Sequence, residues 1–454
     1  MSVALTLTSR SRHRRWDYLP DFANAQLPRY TSYPPANRFS GAVGPDAASA
    51  ALAALPPETS LSLYVHIPFC KKLCWYCGCH TSVPSAADPI DSYLEALKGE
   101  IRLIAGQVRR DASVARVHFG GGSPDILRPD QISDLFRTLR ESFTFSSFAD
   151  IAAEFDPRGL TAEVISTYAA NGLTRASLGV QVLDPAVQRR INRIQSAREI
   201  ESAIGGLRAA GVAGINVDMM YGLPGQTREH VVETALFAST QDVDRVAVFG
   251  YAHVPWMKKH QKGISVDNLP AGEARFRQAE AAAESLERSG YIPVGFDHFA
   301  APGDSLATAA LQGRLHRNFQ GYTDDESSTL IAFGASAISS LPGLIYQNTP
   351  DASAYRTACA ENRQPVVRGA VIGPEGRRIG KLIERLLCDF EADISSDLRA
   401  SAQSSLRPLI AAGLVELSQD RLSVTARGKP YVRSVAACFD TGLIPTPGRH
   451  SLAV

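Results

Sequence analysis

Four of the seven cysteines in this 454-residue chain fall within one short segment, at Cys70, Cys74, Cys77 and Cys79. An odd total with this clustering does not describe a disulfide framework, and in a reducing compartment clustered thiols indicate metal binding or redox chemistry. The first three cysteines have the spacing CxxxCxxC. Three thiolates in a tight loop can hold three irons of a cubane iron–sulfur cluster and leave the fourth iron open to a substrate.

Other metal chemistries fit this spacing less well. Structural zinc takes four ligands, usually as two separated pairs, and only Cys79 or His80 could complete such a site locally. Ferredoxins ligate each cluster with four thiolates and commonly place proline after the last cysteine, whereas Gly78 follows Cys77 here. The remaining thiols are scattered and are predicted to be inert core residues: Cys359, Cys388 and Cys438.

The segment from Tyr64 to Cys79 resembles the cluster loop of radical S-adenosylmethionine (SAM) enzymes. With its Gly78–Cys79 sequel it is similar to one family in particular, the oxygen-independent coproporphyrinogen III oxidases, or coproporphyrinogen dehydrogenases, of haem biosynthesis. The resemblance extends over nearly the whole chain through further segments, which are Pro28–Pro34, His118–Pro124, Tyr221–Pro224, Asp297–Ala300, His316–Tyr322 and Cys438–Asp440.

This resemblance implies an oxidoreductase with a [4Fe–4S] cluster held by Cys70, Cys74 and Cys77, and with SAM bound at two sites. In the family, a 5′-deoxyadenosyl radical made from SAM takes a hydrogen from a propionate side chain of coproporphyrinogen III. Loss of CO2 and one electron then leaves a vinyl group, and two such rounds give protoporphyrinogen IX. The implied partners are this substrate and an unidentified one-electron donor.

Residues that match the motifs of the family can be assigned to the two SAM sites. The resemblance implies that the SAM on the cluster is contacted by Tyr64, Gly121, Glu154 and Ile338. It implies a second SAM site formed by Tyr76, Gly122, Ser123, Gln181, Arg193, Asp218 and Ala252. Ser123 stands where threonine is common in the family, so the hydroxyl group is retained.

The substrate of the family carries four carboxylates, so its pocket should contain arginine or lysine with fixed geometry. Arg29 and Arg317 are the candidates, although each could equally form an ordinary surface ion pair. Cys79 lies close to the predicted cluster ligands, but three cysteines suffice for the cluster and the role of Cys79 stays open.

A scaffold must position these residues, and residues 61–251 show a repeating βα pattern. Short apolar or β-branched runs alternate with amphipathic stretches that are long enough to be crossover helices. The predicted strands are Leu61–His66, Val117–Phe119, Ile151–Phe155, Ala176–Gln181, Ile215–Tyr221 and Val246–Tyr251. The predicted helices are Ile90–Val108, Asp130–Phe143, Ala162–Ala170, Ala197–Ala210 and Arg228–Thr240. Six parallel strands predict a partial barrel, and the resemblance implies the same (β/α)6 shape.

The residues with chemical potential follow the C-terminal ends of these strands, where barrels of this kind carry their active sites. The cluster loop follows the first strand. Gly120–Ser123 ends the second strand, where backbone N–H groups can approach a ligand closely. Glu154, Gln181 and Asp218 are polar residues at or near later strand ends. Either they bind a ligand or they form a satisfied polar network in the mouth of the barrel.

The pattern changes after the barrel. Ala271–Ser289 predicts a helix and Tyr291–Phe299 a strand, whereas Ile379–Phe390, Ser404–Ala412 and a hairpin at 414–425 predict a small winged-helix-like unit. A winged helix often binds DNA, but the formal net charge of +1 favours a cover over the barrel.

The predicted fold class is therefore α/β, with a partial (β/α)6 radical SAM barrel as its largest part. We predict four parts: an N-terminal arm and lead-in (1–57), the partial barrel with the cluster loop (58–300), a connecting segment that completes the active site (301–373), and a small, mostly helical, winged-helix-like C-terminal domain (374–454).

Composition excludes several classes of protein. The content of 44% hydrophobic residues is typical of a globular protein. With 47 Lys and Arg against 46 Asp and Glu, the charge balance does not favour binding to nucleic acid. No segment approaches the ~20 apolar residues needed to cross a bilayer. At the N-terminus apolar residues precede basic ones, the reverse of a secretory signal, so a cytoplasmic location is expected. No long heptad or exposed apolar helix indicates a partner, so a monomer is expected. Two alternatives stay open, a haem chaperone with the same cluster loop and another radical SAM reaction on a tetrapyrrole.

Overall fold

The computed structural model describes residues 15–84, 86, 88–443 and 452–454. Residues 1–14 of the predicted arm and residues 444–451 of the predicted C-terminal domain lie outside the described residues. The arm contains two helices, α1 (Pro20–Ala23) and α2 (Pro45–Ala53).

Six parallel strands with intervening helices form the partial barrel. In chain order the elements are β1 (Ser60–Ile67), α3 (Asp88–Ala105), β2 (Ser113–Gly121), α4 (Pro129–Ser142), β3 (Thr144–Phe155), α5 (Ala162–Ala170), β4 (Arg175–Gln181), α6 (Pro185–Arg190), α7 (Ala197–Ala209), β5 (Gly214–Tyr221), α8 (Arg228–Thr240) and β6 (Arg245–Gly250). The predicted partial barrel is confirmed, with β2 and β3 beginning earlier than the sequence pattern indicates. The short helix α6 was not predicted.

Alternation along β1 explains why the barrel has an apolar outside and a polar inside. Leu61, Leu63 and Val65 are fully buried in the hydrophobic core. Because successive side chains of a strand point to opposite faces, Ser62 and Tyr64 point to the other face, which lines the interior of the barrel. The crossover helices thus cover the apolar face, and polar groups remain inside the barrel for a ligand.

The main sheet continues beyond the six barrel strands on both sides. The next elements are α9 (Gly272–Arg288), β7 (Ile292–Val294), β8 (His298–Ala300), α10 (Ser305–Leu311), β9 (His316–Asn318), β10 (Gly321–Thr323), β11 (Thr329–Phe333), β12 (Ile338–Leu341), β13 (Leu344–Asn348), α11 (Ala352–Ala360) and β14 (Val366–Val371). The strand order is β14-β13-β12-β11-β1-β2-β3-β4-β5-β6-β8-β7. Strand β11 runs parallel to β1, so the sheet has a seventh parallel strand.

Two sequence predictions differ from this arrangement. Tyr291–Phe299, predicted as one strand, contains β7 and the start of β8, which pair antiparallel, because a turn containing Gly295 at φ +56° reverses the chain. Residues 301–373, for which the sequence predicted no strands, contribute the four strands β11 to β14 to the main sheet.

The remaining elements form a small unit next to the barrel. They are α12 (Pro374–Asp389), β15 (Glu391–Asp393), α13 (Ser396–Ala411), β16 (Val415–Leu417), β17 (Arg421–Val424) and α14 (Val432–Ala437). The strands form a separate antiparallel sheet in the order β15-β17-β16. The predicted hairpin is present, and α13 begins eight residues before the predicted Ser404. Nowhere in the described part of the chain is a helix both long and apolar enough to cross a membrane.

Contacts between the arm and the C-terminal unit position the arm over the barrel. The backbone N–H of Leu19 donates to the hydroxyl of Tyr431 at 2.9 Å. The guanidinium of Arg433 donates to the carbonyl oxygens of Pro28 (3.2 Å) and Leu452 (2.8 Å). The C-terminal unit therefore fixes the position of the arm segment that carries Arg29.

Candidate active site

The cluster loop, residues 68–84, connects β1 to α3 and is closed at its base by its own backbone. Cys70 N–H donates to Ser82 O, and Ser82 N–H donates to Pro68 O, both at 2.9 Å. On its far side, Trp75 N–H donates to Ile191 O at 2.9 Å. These bonds fix the loop at the C-terminal end of β1.

Two of the predicted cluster ligands have hydroxyl or amide neighbours. The Sγ of Cys70 lies 3.1 Å from Thr81 Oγ1 and accepts from Ser123 Oγ at 3.8 Å. The Sγ of Cys77 accepts the backbone N–H of Cys79 at 3.4 Å. Hydrogen-bond donors at sulfur favour the thiolate, which is the form that ligates metals. The hydrogen bonds from Cys79 lower the pKa of Cys77 to about 6, whereas burial raises the pKa of the Cys70 thiol despite its hydroxyl neighbours.

The third predicted ligand, Cys74, lies between two arginines. Its Sγ accepts N–H groups of Arg158 and Arg193, each at 3.4 Å. Both guanidinium groups also pair with the carboxylate of Asp156, at 2.5 and 3.2 Å. Burial opposes ionisation of Asp156, but the hydrogen bond from Arg158 and the charge of Arg193 lower its pKa.

The sequence analysis proposed Arg193 for the second SAM site and did not single out its neighbours Asp156 and Arg158. Both follow directly after β3, and charged residues at the C-terminal end of a parallel strand were the available signal.

The glycines at the end of β2 allow the backbone to pass close to the cluster loop. Gly121 has φ +111°, and a Cβ atom there would lie 2.5 Å from the ring of His66. A Cβ atom on Gly122 would lie 2.3 Å from the carbonyl oxygen of Phe69. Gly122 N–H donates to Ile67 O at 2.8 Å. Any side chain at Gly122 would therefore displace the cluster loop.

A carboxylate inside the barrel is held in its charged form. Glu154 Oε1 lies 3.0 Å from His118 Nε2, and Glu154 Oε2 accepts the N–H of Gly121 at 3.4 Å. Burial opposes ionisation of Glu154, but the hydrogen bond and charge of His118 lower its pKa. The ring of Tyr64 stacks on His118 with a centroid distance of 5.8 Å. The sequence analysis did not identify His118 as a partner of Glu154, although the alternation of side chains along β2 places His118 inside the barrel.

A second carboxylate, that of Asp218, titrates differently. Burial and the nearby charge of Glu154 raise the pKa of Asp218 to about 6, against hydrogen bonds from Asn216 (2.8 Å) and Ser177 (3.2 Å). Inside one barrel, the pKa of Glu154 is therefore lowered while the pKa of Asp218 is raised.

The cluster cavity, with a volume of about 170 Å³, brings most of the predicted residues together. Its lining includes Cys70, Cys74, Cys77, Tyr76, Gly121, Gly122, Ser123, Glu154, Gln181, Arg193 and Asp218. It does not include Tyr64, Ala252 or Ile338. Tyr64 touches the site through His118, Ala252 lines the neighbouring cavity, and Ile338 begins β12.

The residues of this cavity fit an anionic cluster ligated by thiolates. Among the described residues, no group of three or more His, Cys, Asp and Glu side chains is placed to hold a single metal ion. Arg158 Nη1 and Arg193 Nε are buried without a hydrogen-bond partner in the described chain. Unpaired buried N–H groups of arginine favour a bound negative charge.

A larger space, the main cavity of about 620 Å³, lies inside the barrel next to the cluster cavity. The two cavities share lining residues, among them Tyr76, Glu154, Gln181 and Asp218. Small side chains inside the barrel, such as Ala152, leave this volume free. The main cavity can therefore hold a substrate beside a ligand on the cluster.

The end of the main cavity at the N-terminal edge of the strands is lined by neutralised arginines. Arg116 pairs with Asp324 at 2.7 Å, whereas Arg175 and Arg245 pair with Asp304 at 3.1 and 2.8 Å. These guanidinium groups are already paired with carboxylates of the chain.

Arg29, unlike these three arginines, has no ion pair among the described residues. Its guanidinium lines the main cavity, and its Nη2 donates to Gly250 O at 2.9 Å. No carboxylate of the described chain lies within ion-pair distance of it. Arg317 does not line the cavity, since it lies between the rings of Phe296 and Tyr322, 4.8 and 4.5 Å from their centroids.

Comparisons with known proteins agree with this site. The profile of the Radical SAM superfamily matches residues 64–238. The chain is 43% identical over 449 residues to the oxygen-independent coproporphyrinogen III oxidase of Bradyrhizobium diazoefficiens, covering 97% of this chain and 100% of the relative. It is 37% identical to that of Paracoccus denitrificans, covering 95% of this chain and 97% of the relative.

A solved structure matches over nearly the same length. Coproporphyrinogen III oxidase from Escherichia coli, described as a radical SAM enzyme, superposes with a TM-score of 0.89 at 36% identity, covering 95% of this chain and 100% of that chain. The chain therefore belongs to the oxygen-independent coproporphyrinogen III oxidases, a family of radical SAM enzymes.

Proposed function

We propose that this chain catalyses the anaerobic oxidative decarboxylation of two propionate side chains of coproporphyrinogen III to vinyl groups, giving protoporphyrinogen IX in haem biosynthesis. The observation that carries this proposal is that a cluster cavity lined by three thiols shares lining residues with a main cavity lined by Arg29. The named relatives are oxidases, so neither a haem chaperone nor another radical SAM reaction on a tetrapyrrole is favoured.

Cys70, Cys74 and Cys77 are proposed to hold a [4Fe–4S] cluster, and their position around one cavity supports this assignment. When bound, the cluster and SAM supply a 5′-deoxyadenosyl radical, which removes hydrogen from carbon in a way that no side chain can. Arg158 and Arg193 offset negative charge next to Cys74. Gly122 allows the strand end to lie against the cluster loop.

The first SAM site is proposed to include Tyr64, Gly121, Glu154 and Ile338. The ionised carboxylate of Glu154 suits a positively charged or N–H-bearing part of SAM, and its location in the cluster cavity supports the assignment. Tyr64 and Ile338 are the members of this set that line neither cavity.

The second SAM site is proposed to include Tyr76, Gly122, Ser123, Gln181, Arg193, Asp218 and Ala252. The support is that Tyr76, Gln181 and Asp218 line both cavities, so a ligand held there lies between the cluster and the substrate.

Arg29 is proposed to hold a propionate of the substrate. It is the arginine of the main cavity that has no ion pair among the described residues, whereas those at the opposite end are neutralised. This asymmetry orients the carboxylates of the substrate towards the arm. The arm and the enclosed barrel also exclude water from the reacting carbon.

Because residues of one chain line both cavities, we propose that the chain acts as a monomer.

An anaerobic assay tests the proposed function. The cluster is reconstituted, dithionite, SAM and coproporphyrinogen III are added, and porphyrin mass and 5′-deoxyadenosine are followed by liquid chromatography with mass detection. We expect two successive losses of CO2 and hydrogen from the porphyrinogen, with deoxyadenosine formed in step. Formation of deoxyadenosine without a change in the porphyrinogen would mean that the enzyme makes the radical but acts on another substrate. If neither product forms, the proposed function is wrong.

A further inference from the structure

The lysines of this chain are concentrated around the cluster loop. The chain has eight lysines, and five of them are Lys71, Lys72, Lys258, Lys259 and Lys262. The two segments that contain these five, residues 68–84 and 251–266, have no Asp or Glu. In a chain with a net charge of +1, this is a local excess of positive charge.

The second of these segments lies on the cluster loop. We call residues 252–264 the lysine loop. Lys258 Nζ donates to Cys79 O (2.9 Å), His260 Nε2 to Cys77 O (2.7 Å), and Gln261 Nε2 to Tyr76 O (3.0 Å). These bonds fix the lysine loop to the segment that contains the last predicted cluster ligand.

The same loop also exposes large apolar side chains. Trp256 is 53% exposed and Met257 is 65% exposed, while Lys259 and Lys262 are exposed beside them in the loop. Exposed aromatic and methionine side chains with surrounding charges are typical of protein interaction sites rather than of surfaces that face only water. Residues 78 and 79 of the cluster loop are exposed too, and they line the cluster cavity.

We propose that the lysine loop and the two lysines of the cluster loop form the docking surface for an acidic one-electron carrier protein. This inference rests on the proposed function, because only a cluster that must be reduced needs such a partner. A carrier with a carboxylate-rich surface complements five lysines, and Trp256 and Met257 supply apolar contacts once the carrier has docked. One electron passes from the reduced carrier to the cluster, so that the carrier is oxidised and the cluster reduced by one electron each, with no atom transferred.

The test uses the reconstituted enzyme and a purified bacterial flavodoxin in its reduced form as the probe. The variants are Lys259→Glu with Lys262→Glu, and separately Trp256→Ala. The control is Lys381→Glu, which reverses one exposed lysine in α12 of the C-terminal unit. Three measurements are made for each: the association and dissociation rate constants with flavodoxin at low and high salt, the rate of cluster bleaching by flavodoxin, and turnover with its KM for coproporphyrinogen when dithionite is the reductant.

We expect the double charge reversal to lower the association rate constant about tenfold or more at low salt and to flatten its salt dependence. Trp256→Ala should speed dissociation instead, and Lys381→Glu should leave the rates unchanged. Turnover with dithionite, a small reductant that needs no docking, should stay within twofold in all variants.

Unchanged association in the double variant, or no binding of flavodoxin to the unmodified enzyme, would overturn the proposal. A raised KM for coproporphyrinogen with dithionite would also overturn it, since the lysines would then guide the tetra-anionic substrate. Failure of the unmodified enzyme to form product with dithionite would refute the proposed function, while the binding measurements would still decide whether this surface docks the carrier.

Discussion

Replacing Arg29 should weaken substrate binding without affecting the cluster. Its guanidinium lines the main cavity, donates one hydrogen bond to Gly250 O, and has N–H groups left for a ligand. Burial lowers the pKa of Arg29, and a carboxylate partner would offset the cost of burying its charge. A charge-assisted hydrogen bond contributes about 1.5–3 kcal/mol. Loss of one propionate contact in Arg29→Ala should therefore raise the KM for coproporphyrinogen by about 10- to 150-fold.

The assay measures initial rates against coproporphyrinogen concentration with dithionite and saturating SAM. Arg29→Lys should recover part of the loss, because an ammonium group keeps the charge but not the planar pair of donors. Arg314→Ala is a matched control, since Arg314 is exposed and pairs with Glu326 at 2.9 Å outside the cavities. A KM for Arg29→Ala within twofold of the unmodified enzyme, in a protein with a full cluster, would refute the assignment of Arg29 to the substrate.

Three further predictions concern the cluster loop and the core. Cys74→Ser should lose the visible absorbance of the cluster after reconstitution, whereas Cys79→Ser should retain it, and the opposite pattern would overturn the ligand assignment. Gly122→Ala should also reduce cluster content, because its Cβ would lie 2.3 Å from a backbone oxygen, while Gly78→Ala, with nothing within 4 Å, should not. Burial raises the pKa of Glu100 from 4.5 to about 7 despite three hydrogen bonds to its carboxylate. The folded state thus holds this proton more tightly than the unfolded chain, and raising the pH through 4.5–7 should destabilise the unmodified protein relative to Glu100→Gln by about 3 kcal/mol. Thermal unfolding of both proteins at pH 5 and pH 8 measures this difference, and parallel changes in Tm would contradict it.

The sequence predicted the barrel well because each βα unit is a local pattern. Alternation along strands such as β1 and helical periodicity such as that of α5 are both contained in short windows of sequence. The thiol spacing was equally local, so the resemblance placed the cluster loop at the end of the first strand, where the structure has it.

Partners that are distant in the chain could not be predicted in this way. Strand β11 pairs with β1, as in Leu61 with Thr329, and nothing in the apolar run at 329–333 indicates which strand it joins. The network of Asp156 with Arg158 and Arg193 depends on side-chain geometry between the segment after β3 and the segment after α6. Arg317 looked as suitable as Arg29 in sequence, yet it lies between two aromatic rings behind the cavity wall.

The hydrogen bonds between the arm and the C-terminal unit also determine when the substrate pocket can first form during synthesis. Leu19 and its partner Tyr431 are separated by 412 residues, and Leu27 and its partner Arg433 by 406. At about 5–20 residues per second, a ribosome makes these partners roughly 20–80 s apart. The barrel can therefore fold on the nascent chain while Arg29 has no fixed position. Substrate binding should appear only after residue 433 has emerged, so nascent chains halted before this point would carry a cluster loop but no competent pocket.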